Sequence, residues 1–443
     1  MTAPESTHAQ LSPLRQLWNA NWFWILPLLL GLVTIGRGIT SVGLWSDELF
    51  TTKNVASGLG TTNEEPAYLP YYTLMWVFTA GGGCISETCL RLPSAVAMLG
   101  VIVLAALTAR MISTKWAGLV AGFLIAISPA AQRFGQEARP FALAALLITA
   151  ATFLLISAQE RESWPRWAGY TITMTASVLV LPTTLVVFPA HAILLTRRRI
   201  RWANYRSWLF ASLATALLLL MPAVWLASQP SGRGDGDLFI IHYTNAWYAW
   251  SSITASGIAN AYAVGEMAMA VLLLGILSPV GVRWLAAAAV GAVGIWVASF
   301  GPYSWFMDRF FVPLIGIAAV GAGIGSASLG RKRTVAALLV VGVAVAPAYT
   351  ANRFPWARGI DYRTAISEID QRWAPGDTVV TNQDGQFGMA WDYYSSDRSR
   401  NQLDPESAAR VWFINDDFAC LDARVVRELG LGNTLQICVQ DYP

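Results

Sequence analysis

The sequence predicts an all-α polytopic membrane protein of about eleven spanning helices, with a small α/β tail outside the membrane. Three observations predict it. Hydrophobic residues make up 55% of the 443 and charged residues 13%, too little polar surface for a water-facing globule of this size, and the mean hydropathy is +0.46. Apolar runs near the ~20 residues that cross a bilayer recur between charged breaks. The charge is also unevenly spread. Residues 351–443 carry nine Lys/Arg and fourteen Asp/Glu, a net of −5 in a chain whose overall charge is +3. An acidic tail argues against nucleic acid as a partner. Twenty Trp residues suit a chain with many membrane–water boundaries.

The N-terminal segment, 1–21, is read as cytoplasmic. It is polar from Met1 to Gln16, and the first apolar run opens a span rather than a cleavable signal. Spans are expected at 22–43, 91–112, 117–133, 140–158, 167–181, 183–196, 207–227, 258–278, 284–300, 310–329 and 334–350, together a membrane domain over 22–350. The run from Tyr71 to Phe78 is short and aromatic, and reads as an interfacial helix inside a first outer loop, 44–90. A second outer loop covers 228–257.

Orientation follows from the basic residues. Arg197-Arg198-Arg199-Ile200-Arg201, Arg331-Lys332-Arg333, Arg161 with Arg166, Arg110 with Lys115, and Arg283 fall on one side, which the positive-inside rule makes cytoplasmic. The other face then holds Asp47, Glu48, Glu64, Glu65, Arg91, Glu137, Arg139, Asp308, Arg309 and the tail. All four cysteines land there too, where disulfides form. Cys84–Cys89 and Cys420–Cys438 are the natural pairs, although connectivity is not fixed by sequence. A metal site at Cys84 and Cys89 is the competing reading, with no His nearby to complete it.

The tail, 351–443, reads as a small extracytoplasmic α/β domain. Ile366, Ile369 and Trp373 have helical spacing, Pro375-Gly376-Asp377 is a turn, and strands are expected at 378–380, 411–414 and 435–439, with a helix at 424–429.

Among the outer-face residues, Asp47-Glu48 stands just past the first span, with Glu64-Glu65 following. A carboxylate at a membrane boundary is costly unless solvated or useful, so this is either a plain solvated loop or a site. A general base for an alcohol nucleophile needs such a carboxylate, and two neighbours can separate their pKa values. Arg309, Arg139 and Arg91 are candidates to meet an anion, each also readable as snorkelling or paired with a neighbouring acid. Glu64 and Glu65 with Asp47 also offer a hard-cation set, so a divalent metal is possible, though no cofactor is required by the spacing. The Gly-rich and then aromatic loop 229–248, containing His242 and Tyr243, reads as a flap, a calcium loop of the wrong spacing, or a plain connection. His191 is read as structural, and Gly316, Gly321, Gly323 and Gly325 as points of close helix packing. No Walker or dinucleotide motif is present, which disfavours a nucleotide-sugar donor.

Several ordered segments carry a resemblance. They are Leu44-Trp45-Ser46-Asp47-Glu48-Leu49-Phe50-Thr51, Glu64-Glu65-Pro66 through Tyr71-Tyr72, Leu90-Arg91-Leu92-Pro93-Ser94-Ala95, and Ser128-Pro129 through Arg133-Phe134-Gly135-Gln136-Glu137-Ala138-Arg139-Pro140-Phe141-Ala142. Asp308-Arg309-Phe310-Phe311-Val312-Pro313, and Asp361-Tyr362-Arg363 with Ala374-Pro375-Gly376-Asp377, complete the series. Together they resemble the GT-C glycosyltransferases, the superfamily of protein mannosyltransferases, aminoarabinose transferases and actinobacterial mannosyltransferase-like proteins. Two departures stand out. Glu65 occupies the place of a His found in many relatives, and Leu181-Pro182-Thr183-Thr184 lacks a His.

The resemblance implies an inverting transfer of sugar, mannose first and arabinofuranose second, from a polyprenyl-phosphate donor. The acceptor would be a hydroxyl of a cell-envelope glycolipid, polysaccharide or protein on the outer face of a bacterial cytoplasmic membrane. It implies Asp47 as base with Glu48 as alternative or orienting partner, and Arg309, Arg139 and Arg91, in that order, at the donor phosphate. Glu64, Glu65, Tyr71, Tyr72, Glu137, Asp308, His242 and Tyr243 are then the sugar or acceptor contacts. Two rival readings are a transporter or flippase of lipid-linked saccharides, with Glu266 its main intramembrane acid, and a scaffold presenting a binding tail. Oligomeric state is not read from the sequence.

Overall fold

The computed structural model describes residues 13–40, 43–58, 65–161, 163–195, 202–228, 270–298, 308–350, 362–381, 386–396, 410–415 and 435–438. It is mainly helical, and five helices are long and apolar enough to cross a membrane: Glu87–Ile112, Phe141–Glu160, Trp202–Ser228, Pro279–Ala298 and Arg309–Leu329. The chain is thus a multi-pass membrane protein. The bent pair Lys115–Ala126 and Pro129–Gly135 would make a sixth span, and Asn21–Gly36 and Pro182–Leu194 are shorter apolar helices. Among the described residues, five or six of the eleven spans expected from hydropathy are present at full length. The expected span at 258–278 falls largely outside them.

Helix α1 covers Pro13–Gly36, and α2 covers Ser46–Ala56. A short 3-10 turn, Pro66–Tyr68, leads into α3, Leu69–Phe78. Ten residues of helix extend only about 15 Å, so α3 cannot span a bilayer. The next helix, α4 (Glu87–Ile112), is N-capped by the Ser86 hydroxyl, which accepts from the Cys89 amide. Beyond it, α5 (Lys115–Ala126) and α6 (Pro129–Gly135) replace the continuous span expected at 117–133. Ser128 caps the new start and Pro129 sits at its first position, so the chain stops and restarts with a 62° bend. Residues 136–139 then run irregularly, which is tolerated because Gln136, Glu137, Ala138 and Arg139 are all buried in protein.

The middle of the bundle is built from α4, α5, α7 (Phe141–Glu160) and the helix Ile315–Ser326. That last helix is a run of small residues. A Cβ on Gly323 would overlap the Ala117 carbonyl of α5, and one on Gly316 would overlap the Thr149 hydroxyl of α7. Small residues substitute here for a hydrophobic driving force that lipid does not supply. By contrast, Trp202–Ser228 presents Leu213, Leu217, Met221 and Val224 outward.

His191 is enclosed: its ring nitrogens meet the Thr152 hydroxyl at 2.9 Å and the Tyr170 hydroxyl at 3.1 Å, and Trp208 Nε1 donates to Tyr170. These contacts tie neighbouring helices together.

Past the bundle, a helix Tyr362–Arg372 precedes the strand β1, Asp377–Thr381. Between them Gly376 sits at φ +90°, a conformation that favours glycine. A helix not foreseen from the sequence, Gln386–Tyr394, connects β1 to β2, Arg410–Asn415. Both β1–β2 and β2–β3 (Leu435–Cys438) are parallel, in the order β1-β2-β3. The expected helix at 424–429, and a Cys420–Cys438 bond, fall outside the described residues. Cys84 and Cys89 are joined.

Candidate active site

The site is organised by the first turn of α2. Asp47 and Glu48, expected in a polar stretch beyond a helix end, instead open a helix, where the N-terminal dipole favours acids. Successive helical residues point about 100° apart, so two adjacent carboxylates face different surroundings.

Glu48 turns inward. Its carboxylate accepts from Arg91 Nε at 2.7 Å and Nη2 at 2.5 Å, from the Ala138 amide at 2.9 Å and from the Trp45 amide at 3.4 Å. Arg91 also donates to the carbonyls of Ile39 at 2.8 Å and Gly43 at 2.9 Å. Neither side chain has any exposure.

Asp47 turns outward. Arg309 Nη1 donates to its Oδ2 at 2.5 Å, and Arg139 Nη2 approaches the same oxygen at 3.9 Å. Arg139 is the hub. It donates to the Asp47 carbonyl at 3.2 Å, to both oxygens of Glu65 at 3.0 and 3.1 Å, and to the Tyr72 hydroxyl at 3.0 Å. Tyr72 in turn donates to Glu65. The Tyr68 ring lies 5.1 Å from the Arg139 guanidinium, and Arg309 lies between the rings of Phe141 and Phe310 at 5.9 and 5.8 Å.

Two guanidinium and two carboxylate groups balance in this cluster. Exposure falls from Arg309 at 23% and Asp47 at 19% to Glu65 at 9% and Arg139 at 3%, so the Asp47–Arg309 pair is its open edge. Burial works against the Arg139 charge, yet Tyr72, Glu65 and Asp47 together hold it firmly protonated. Burial also pushes the Tyr72 phenol up; Arg139 opposes this and Glu65 adds to it. That hydroxyl therefore remains a donor at neutral pH.

Of the residues singled out from the sequence, Asp47, Arg309, Arg139, Glu65 and Tyr72 come together. Arg91 and Glu48 do not. They form a separate buried pair behind α2, with the Arg91 donors directed at Glu48 and at backbone carbonyls. Glu137 lies 3.8 Å from Arg133, one helical turn away and outside the Asp47 cluster. Tyr71 is buried against Tyr72, with ring centroids 5.8 Å apart. Asp308 begins the helical turn that carries Arg309. Glu64, His242 and Tyr243 lie outside the described residues. Among the described residues, no three His, Cys, Asp or Glu side chains gather as metal ligands. Tyr68 was missed, although its spacing of four from Tyr72 places both rings on one side of the chain.

The fold matches solved structures. ArnT from Cupriavidus metallidurans superposes with a TM-score of 0.56 at 12% identity, over 94% of this chain and 89% of ArnT. The chain has the GT-C fold. A second ArnT structure, bound to undecaprenyl phosphate, gives a TM-score of 0.50 at 15% identity, over 84% of this chain and 68% of that one. The oligosaccharyltransferase AglB from Archaeoglobus fulgidus, in complex with an inhibitory peptide and a dolichol-phosphate, shares the GT-C fold at a TM-score of 0.50 and 13% identity, over 90% of this chain and 65% of AglB. In sequence, residues 67–226 match the dolichyl-phosphate-mannose-protein mannosyltransferase family. No curated protein matches the chain in sequence.

Proposed function

We propose that this protein is an inverting glycosyltransferase of the outer face of the cytoplasmic membrane. It would move a sugar from a polyprenyl-phosphate donor to a hydroxyl of a cell-envelope glycolipid, polysaccharide or protein. One observation carries the proposal. Asp47 and Arg309, 262 residues apart, meet at the open edge of an otherwise buried and charge-balanced cluster.

The chemistry follows from that edge. The acceptor oxygen attacks the anomeric carbon from the face opposite the phosphate, and Asp47 takes the hydroxyl proton as the new C–O bond forms. The old anomeric C–O bond breaks, and its electron pair leaves with the phosphate oxygen. Arg309 meets the growing charge there with its planar fork, exchanging Asp47 for phosphate, which frees the carboxylate to act as base. Arg139 supplies fixed positive charge behind it, held in place by Glu65 and Tyr72. Glu48 and Arg91 are assigned to holding α2 and not to the donor. Solved structures of ArnT with undecaprenyl phosphate and of AglB with a dolichol-phosphate support a lipid-phosphate donor. Mannose is the first sugar to test and arabinofuranose the second.

The test is transfer by purified protein from synthetic polyprenyl-phosphate mannose and polyprenyl-phosphate arabinofuranose to a cell-envelope glycolipid extract. Transfer that collapses in a folded Asp47→Asn variant supports the reading, and the donor used names the sugar. Undiminished transfer in that variant sinks Asp47 as the base. Lipid translocation without transfer, measured in proteoliposomes, would favour the flippase reading.

A further inference from the structure

The connection from α1 to α2 is gripped from two directions. From the bundle, Arg91 donates to the carbonyls of Ile39 and Gly43. From the tail, Arg363 donates to the Thr40 carbonyl at 3.1 Å, and the Tyr394 hydroxyl accepts the Leu44 amide at 2.5 Å. Each grip catches one residue beyond the other's. Leu44 is fully buried and lies three residues before Asp47.

Tyr394 and Arg363 converge on one acid. The Tyr394 hydroxyl donates to Glu87 at 2.7 Å and Arg363 donates to the other Glu87 oxygen at 3.0 Å. The neighbouring Tyr393 hydroxyl donates to the Ile85 carbonyl at 2.7 Å. Ile85 and Glu87 both lie inside the loop closed by Cys84 and Cys89, so the tail docks on a cross-linked platform. Burial pushes the Tyr394 phenol up, so it keeps the proton it donates to Glu87. The helix bearing these tyrosines is well seated, with Ala390 and Trp391 fully buried.

We propose that Tyr394 is a positioning residue for the reaction, acting through the Leu44 amide: the tail fastens the start of α2 and so fixes where Asp47 stands. This rests on the assignment of Asp47 as base. A tail that merely stabilised the protein would lose stability from either tyrosine, more from Tyr394 with its two hydrogen bonds than from Tyr393 with one, and kcat of the folded protein would be unchanged in both. A positioning tail would also slow the reaction through Tyr394 but not through Tyr393, because of the two tyrosines it is Tyr394 that meets the Leu44 amide.

The experiment compares Tyr394→Phe with Tyr393→Phe in the full-length protein, by hydrogen–deuterium exchange of the Leu44 amide and by transfer kinetics. Tyr394→Phe is expected to speed Leu44 exchange about fivefold, the worth of one hydrogen bond, and to lower kcat by a similar factor at unchanged donor KM. Tyr393→Phe should leave Leu44 exchange and kcat as in wild type. Unchanged Leu44 exchange in Tyr394→Phe, or equal effects from the two variants, overturns the proposal. If wild type transfers no sugar, the glycosyltransferase reading has failed, and Leu44 exchange still decides whether Tyr394 fastens α2.

Discussion

Asp47 and Glu48 are adjacent in sequence, chemically alike, and placed in opposite circumstances. Glu48 is fully buried and saturated by Arg91 and two amides, while Asp47 stands at a partly open edge opposite Arg309. A buried ion pair contributes little net stability against an apolar replacement, but breaking it by removing one partner is severe. An open pair behaves in the reverse way. It costs little to disturb structurally. The proposed roles follow this contrast, with Asp47 and Arg309 at the reaction and Glu48 and Arg91 in the architecture.

The sharpest way to break this contrast is to neutralise each acid in turn. Asp47→Asn should retain its thermal midpoint and lose roughly 10²- to 10⁴-fold in kcat, the usual worth of a general base. A folded, stable Glu48→Gln variant with the larger loss of transfer would reverse the assignment. Next, Arg91→Met should lower stability by about 3–5 kcal/mol, read by chemical unfolding in detergent. The double variant Glu48→Leu with Arg91→Leu should recover much of that loss, and additive destabilisation would show that the pair contributes more than mutual compensation. Arg309→Lys keeps the charge but not the fork, so donor KM should rise about tenfold with little change in melting. Tyr72→Phe should have the smallest effect, about fivefold in kcat, as Arg139 and Glu65 lose a shared hydroxyl. Because burial holds that phenol protonated, the loss should not vary across the neutral pH range.

Much of this was legible from residue type alone. Hydropathy located the apolar helices, and the acids and arginines singled out from the sequence included the residues that meet around Asp47. What sequence did not reveal was rotation and distance. Nothing in the string Asp47-Glu48 says which carboxylate faces inward, because that depends on α2 being a helix. Arg91 and Arg139 look equally suited to an anion. One is enclosed by Glu48 and two carbonyls, and the other stands behind the open edge. Ser128-Pro129 was visible as part of a motif but not as the stop that bends a span. The Tyr394–Leu44 contact joins residues 350 apart, with no local pattern to announce it.

That last contact has a consequence for how the protein is made. Ribosomes deliver Leu44 to the membrane long before Tyr394 exists, so the bundle and the Cys84–Cys89 loop are assembled while the final fastening is still unsynthesised. A nascent chain arrested before residue 386 should therefore contain Asp47, Arg309 and Arg139 yet leave the Leu44 amide open to exchange. On the proposed role of Tyr394, fastening of the Leu44 amide then waits on the synthesis of residues 386–394.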